Sequence, residues 1–218
     1  MQIQKNHLNH KLKQYILNLI LVIAENQNKI NKLSSYFERG DLGTRFNDCF
    51  QKIKQLLISQ ENLDYVVLSD ISNLIKKTIG SSIGDVLSFW VSNFLRYLHY
   101  FYFDSIQNAI SESLYNATIE TGRKFKLFAG DKSFYSVLLP CIKVIYNNSN
   151  ISMDELKLKL NETIEKNLLQ NIYSRSHFGK ARYLGKRSIN VLDPGAYIIY
   201  LAFQAFINSK EIYNETIK

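Results

Sequence analysis

The densest run of chemically usable side chains is His177-Phe178-Gly179-Lys180-Ala181-Arg182-Tyr183-Leu184-Gly185-Lys186-Arg187-Ser188, with Asp193-Pro194-Gly195-Ala196 just beyond it. Two glycines let the backbone approach a ligand closely, and the Lys and Arg side chains neutralise negative charge. The free amides of a helix that starts at Pro194 would meet an anion. Phosphate or nucleotide binding is the chemistry this combination can do. As composition alone it also describes a solvated basic loop or a contact to a nucleic-acid backbone.

Three more polar turns each lead into an apolar pattern. Gly40-Asp41-Leu42-Gly43-Thr44 can cradle an anion, offer one carboxylate to a metal, or only cap a helix with Asp41. Gly80-Ser81-Ser82-Ile83-Gly84 and Gly130-Asp131-Lys132-Ser133 have the same form, and plain helix-to-helix turns explain them as well. None of these turns is specific alone. Cys49 and Cys141 each fall inside an apolar helical pattern, which argues for reduced structural thiols and against a disulfide framework or thiolate metal site.

The elements that must position these turns read as helices. Leu8, Leu12, Tyr15, Leu19 and Val22 share one face of a first helix that ends at the polar break Ser34-Ser35. Asp41 then caps a second helix carrying Phe46, Cys49, Phe50, Ile53 and Leu56. A third starts at Ser69 and stops at Gly80, and a two-sided apolar segment from Ser81 to Tyr102 makes a fourth, buried by several neighbours. Asp104 is the expected cap of a fifth, which stops before Gly122. The sixth, through Phe134 and Val144, contains Pro140, which should bend or split it. Ser152 with Glu155 forms a capping box for a seventh carrying Leu156, Leu160, Ile164 and Leu168. Ser176 to Leu192 has no helical period and reads as a long basic loop before the eighth helix, capped by Asp193. The expectation is one all-α domain over residues 1–218, a closed antiparallel barrel or bundle of eight amphipathic helices.

Composition agrees with helices and short connections: 2 Pro and 9 Gly among 218 residues exclude a loop-rich, collagen-like or linker-dominated chain. The net charge of +8 attracts nucleic acid, anionic membrane, phosphorylated small molecules or acidic proteins without choosing among them. Tyr and Phe fall mostly within the apolar stripes, where core packing explains them, so stacking on nucleic acid is not expected. Tyr15 to Ala24 is too short for a membrane crossing and lacks a cleavage site behind it, so the expected location is the cytoplasm.

Taken together and in order, these segments resemble the nucleotide-binding L subunit, or L domain, of dihydroxyacetone kinase, over about residues 7–208. The most distinctive piece is Gly179 to Ser188 with Asp193-Pro194-Gly195-Ala196. Gly130-Asp131-Lys132-Ser133 with Leu138-Leu139-Pro140 resembles the central motif, and Glu25-Asn26 through Asp41-Leu42-Gly43-Thr44 the metal-site region. The resemblance implies a barrel of eight antiparallel helices holding ADP or ATP with magnesium at one end. It implies a phosphotransferase subunit that passes phosphoryl to a small ketose or triose on a K-like, dihydroxyacetone-binding partner. One branch of the family is recharged by a phosphohistidine-bearing subunit. The implied cofactor-binding positions are Arg39, Leu42, Gly43, Thr44, Ser81, Ser82, Gly130, Gly179, Lys180, Ala181, Arg187, Asp193, Pro194 and Gly195, with Asp41 and Arg187 catalytic and Asp41 the metal ligand.

The departures sit in the metal region. Of three family Asp positions, two are Ser34 and Arg39, and the His expected after Asp41 is Leu42. The glycine-rich turn after Gly84 is replaced by Asp85, Val86, Leu87 and Ser88. One carboxylate and a hydroxyl are a poor magnesium set, and phosphoryl transfer depends on that metal. Arg39 either places its guanidinium where the metal would be or points to solvent. The alternative to an active subunit is therefore an inactive relative that binds nucleotide or a partner and acts structurally or as a regulator.

Overall fold

The computed structural model describes residues 2–60, 65–100 and 105–209. Among them the chain forms eight α-helices: α1 (Gln2–Ser35), α2 (Leu42–Ser59), α3 (Tyr65–Leu74), α4 (Ser81–Tyr100), α5 (Ile106–Phe125), α6 (Tyr135–Asn147), α7 (Met153–Tyr173) and α8 (Pro194–Ile207). A π-helical turn, Ile75–Ile79, extends α3, and a 3-10 segment, Lys180–Ser188, precedes α8. No strand occurs among the described residues. The chain is an all-α bundle in which each helix packs on the next in sequence and α8 returns to α1.

Two apolar clusters fill it. Ile23 and Ile30 of α1 meet Phe46, Cys49 and Ile53 of α2, Ile71 of α3, and Ile198 and Leu201 of α8. On the other side Val137, Leu138 and Ile142 of α6 meet Leu160 and Ile164 of α7 together with Ile199 of α8. Ile83, Leu87, Leu192 and Tyr200 pack against both clusters, so the start of α4 and the middle of α8 join them. Cys49 and Cys141 are free and buried, and burial pushes each thiol up to about 12, which keeps them protonated and inert.

Helix ends follow the sequence in several places. Ser152 Oγ accepts from the Glu155 amide, Asp193 Oδ1 accepts from the Ala196 amide at 2.8 Å, and Gly80 ends the π-helical turn at φ 59°. Elsewhere they differ. Asp104 lies outside the described residues, and Ser105 caps α5 by accepting from the Asn108 amide. α5 runs past Gly122 to Phe125, where Lys126 takes the left-handed conformation that ends the helix. Gly122 instead makes room for Tyr135, whose hydroxyl oxygen would lie 2.1 Å from any Cβ there. α3 begins at Tyr65, ahead of the expected Ser69. α6 passes through Pro140 unsplit, losing one backbone donor but keeping its packing on α7 and α8. The expected loop from Ser176 to Leu192 contains the 3-10 segment, with Gly179 at φ 61° and Gly185 at φ 56° supplying its bends.

Candidate functional site

At one end of the bundle an open cleft of about 90 Å³ gathers the turn after α1 and the starts of α2, α4, α6 and α8. Each of those starts is a place where the sequence puts small or polar residues before an apolar run. Phe37, Glu38 and Leu42 line one wall, Ser81, Ser82 and Ile83 a second. Lys132 to Phe134, Phe178, Gly179, Ala181 and Asp193 to Gly195 complete it. Ser81, the first residue of α4, lies in the strained left-handed region at φ 54° and lines this space with Ser82 and Ile83, in a first turn whose amides lack partners within the helix, that of Gly84 donating instead to the Gly80 carbonyl at 3.0 Å. Packing around Gly195 is tight, since a Cβ there would meet Ile83, Asp193 and Phe134 at 2.9 to 3.1 Å.

Lys132 and Asp193 form the floor. The Lys132 ammonium, 1% exposed as a residue, donates to the carbonyls of Asn171 (2.6 Å), Ile172 (2.9 Å) and Ser174 (3.3 Å) and so satisfies the C-terminal end of α7. Burial pushes it down to about 8, against the Asp193 carboxylate. Burial pushes Asp193 up to about 6, against the Ala196 amide, the Lys132 ammonium and the Gly195 amide, while the Glu38 charge pushes the same way as burial. Asn171 ties the floor together. Its amide nitrogen reaches Ser136 Oγ at 3.1 Å, and its Oδ1 accepts from the Asp193 amide at 3.0 Å.

The mouth is held by a residue the sequence reading passed over. Arg45, one turn into α2, donates from Nε to Asp41 Oδ1 at 3.1 Å and from Nη2 to Glu38 Oε1 at 3.2 Å. Its Nη1 donates to the Ile79 carbonyl and reaches Ser81 Oγ at 3.4 Å. Asp41 therefore makes no side-chain cap for α2, as its carboxylate is turned to Arg45. The one signal in the sequence was the Asp41–Arg45 spacing of an ion pair across one helical turn.

The structure brings Leu42, Ser81, Ser82, Gly179, Ala181, Asp193, Pro194 and Gly195 to the cleft. It does not bring the others. Arg39 is exposed and outside the lining. Gly43 lets α2 sit on α1, where a Cβ would be 2.2 Å from the Gln27 carbonyl oxygen. Thr44 Oγ1 accepts from Asn31 at 3.0 Å and is structural. Gly130 borders a separate cavity of about 460 Å³ with Gln170 and Tyr173. Arg187 is exposed at the end of the 3-10 segment, and Lys180 opens that segment.

A family model described as "DAK2 domain" matches residues 40–208. The chain belongs to the DAK2 domain family. This DAK2 chain is 29% identical over 218 residues to a probable dihydroxyacetone kinase of Dictyostelium discoideum, covering 92% of the chain and 33% of that protein. It is 25% identical over 199 residues to the ADP-binding subunit DhaL of PEP-dependent dihydroxyacetone kinase 1 of Listeria innocua, covering 86% of the chain and 90% of that subunit. The chain thus spans a third of the length of the first relative. Its fold matches the crystal structure of the dihydroxyacetone kinase from C. freundii in complex with AMP-PNP and Mg2+, with TM-score 0.72 at 17% identity over 91% of this chain and 33% of that one. The native form of the same kinase matches with TM-score 0.73 at 16% identity, over 93% of this chain and 35% of that one.

A divalent cation does not fit the donor set of this DAK2 chain. No group of three or more His, Cys, Asp or Glu able to hold a metal occurs among the described residues. Glu38 and Asp41 are engaged by one guanidinium, and Ser34 is buried and donates to the Asn31 carbonyl at 3.0 Å. No helix among the described residues is long and apolar enough to cross a membrane.

Proposed function

We propose that this chain is a nucleotide-binding relative of the ADP-binding subunit of dihydroxyacetone-kinase systems that has no phosphoryl-transfer activity of its own. One observation carries the reading: Asp41, the single metal-ligand candidate, is paired with Arg45, which also holds Glu38 beside it. Without clustered metal charge the phosphate oxygens of a bound nucleotide are not neutralised for transfer. The cleft, about 90 Å³, takes the phosphate end of ADP or ATP, with Ser81, Ser82 and the first amides of α4 as donors and Gly179 leaving room beside them. The bulk of the nucleotide then lies against the 3-10 segment, near Lys180 and Arg187.

The order of helix contacts, successive and closing from α8 to α1, supports a closed antiparallel barrel of eight helices forming one domain. In this reading the cleft end docks on a K-like partner subunit, in the cytoplasm, and the chain acts as a structural or regulatory member of the complex. A phosphohistidine-bearing donor is the further partner only if turnover occurs.

The competing reading, an active phosphotransferase with Asp41 as metal ligand, draws on the exposure of the Asp41 side chain at the cleft mouth, 43%. Incubation with a K-like subunit, dihydroxyacetone and either ATP or a phosphohistidine donor separates them. No phosphorylated triose is expected. Product formation that Asp41→Asn abolishes would overturn the proposal.

A further inference from the structure

Glu38 and Asp41 lie on the same short turn, so with no cation between them two like charges would share one site. Glu38 also acts on a third acid, Asp193, raising it. Lys132 answers Asp193, and the cation between Glu38 and Asp41 also belongs to the chain. The Arg45 fork reaches both carboxylates, the carbonyl of Ile79 and the hydroxyl of Ser81, so one rigid group joins the α1–α2 turn, the end of the π-helical turn and the start of α4. The Arg45 and Glu38 side chains are 22% and 16% exposed, which leaves the pair only partly screened by solvent. A planar guanidinium suits this role because its donors are fixed in direction and its charge is permanent.

We propose that Arg45 is a built-in replacement for a divalent cation at the cleft mouth. It neutralises Glu38 and Asp41, cross-links three segments that bound the cleft, and keeps both carboxylates from taking up a metal. The folded mouth is then indifferent to divalent cations, and removing the guanidinium makes it responsive to them. This inference does not depend on nucleotide binding and its test uses none.

The test is Arg45→Met, which keeps an apolar stem and deletes the charge, compared with the wild type in chelator, MgCl2 and MnCl2. Wild-type Tm is expected to stay within a degree across the three, with no binding heat for Mn2+. R45M is expected to melt lower in chelator, to recover several degrees in Mn2+, and to bind Mn2+ at least tenfold more tightly than the wild type. Adding Glu38→Gln and Asp41→Asn to R45M should abolish that recovery. Mn2+ binding by the wild type as tight as by R45M, or an R45M Tm unmoved by either metal, would overturn the proposal. If R45M does not yield folded protein, Arg45→Lys, whose single ammonium cannot span both carboxylates, is expected to show the same metal response at smaller size. Its absence there overturns the proposal equally.

Discussion

Replacing Lys132 by Met keeps the bulk of the buried stem and deletes the ammonium that closes the end of α7. Three carbonyls lose a charged donor, but not equally. Ile172 keeps the Asn190 amide at 2.8 Å and Asn171 keeps a long contact from the Ser174 amide at 3.3 Å. The Ser174 carbonyl loses the 3.3 Å contact from Lys132. A hydrogen bond to a charged group contributes about 1.5–3 kcal/mol and an orphaned buried acceptor costs about 1–3 kcal/mol. Against this, Met no longer buries a charge, the effect that pushes Lys132 down to about 8, and relief of it returns about 3 kcal/mol. The lost contacts outweigh the return, so the expected net loss at neutral pH is a few kcal/mol, on the order of 3 or more, a large share of the ~5–15 kcal/mol of a typical domain. Urea unfolding followed by far-UV circular dichroism measures it. The sign with pH is a second check. The folded pKa, about 8, lies below the ordinary 10.5, so between these values the unfolded chain binds more protons and wild-type stability rises with pH. K132M lacks that rise, so the gap between the two proteins widens in alkali. A variant as stable as the wild type at neutral pH, with a parallel pH profile, would refute the capping argument.

Gly43→Ala drives a methyl to within 2.2 Å of the Gln27 carbonyl oxygen, a backbone atom of α1 that cannot rotate away. A loss of about 3 kcal/mol is expected, visible as a lower urea midpoint at unchanged slope. Asp193→Asn keeps a good N-cap for α8 but removes a titrating carboxyl. Because the folded pKa, about 6, lies above the ordinary 3.8, the contribution of Asp193 is present at acid pH and lost as pH rises through about 6. Wild-type Tm should carry that decline and D193N should not, in scans across this window.

Much of the fold was legible because its signals are local. Four-residue apolar spacing marked α7, Ser152 and Asp193 marked their helix starts, and Pro194 stood at the first position of α8. Signals that depend on distant neighbours misled. Gly122 looks like a helix stop, yet its lack of a side chain serves Tyr135 on α6. Gly43 and Thr44 look like a phosphate cradle, yet they are spent on seating α2 against α1. The site itself was half visible. Small and polar turns named Ser81, Gly179 and Asp193, which line one cleft, because such turns leave a mark in residue type. Lys132 was read as part of a turn, since nothing local says that a lysine will be buried under α7. Arg39 drew notice as the cation beside Asp41, whereas helical geometry gives that place to Arg45 four residues on.

The central claim is that nucleotide binding at this cleft needs no divalent metal. Calorimetric titration of ADP into ligand-free protein, once with magnesium and once with chelator, tests it most directly. The account predicts the same affinity in both runs. Binding that appears with magnesium and vanishes with chelator would contradict it and restore a working metal site, and no binding in either run would remove nucleotide from the function altogether.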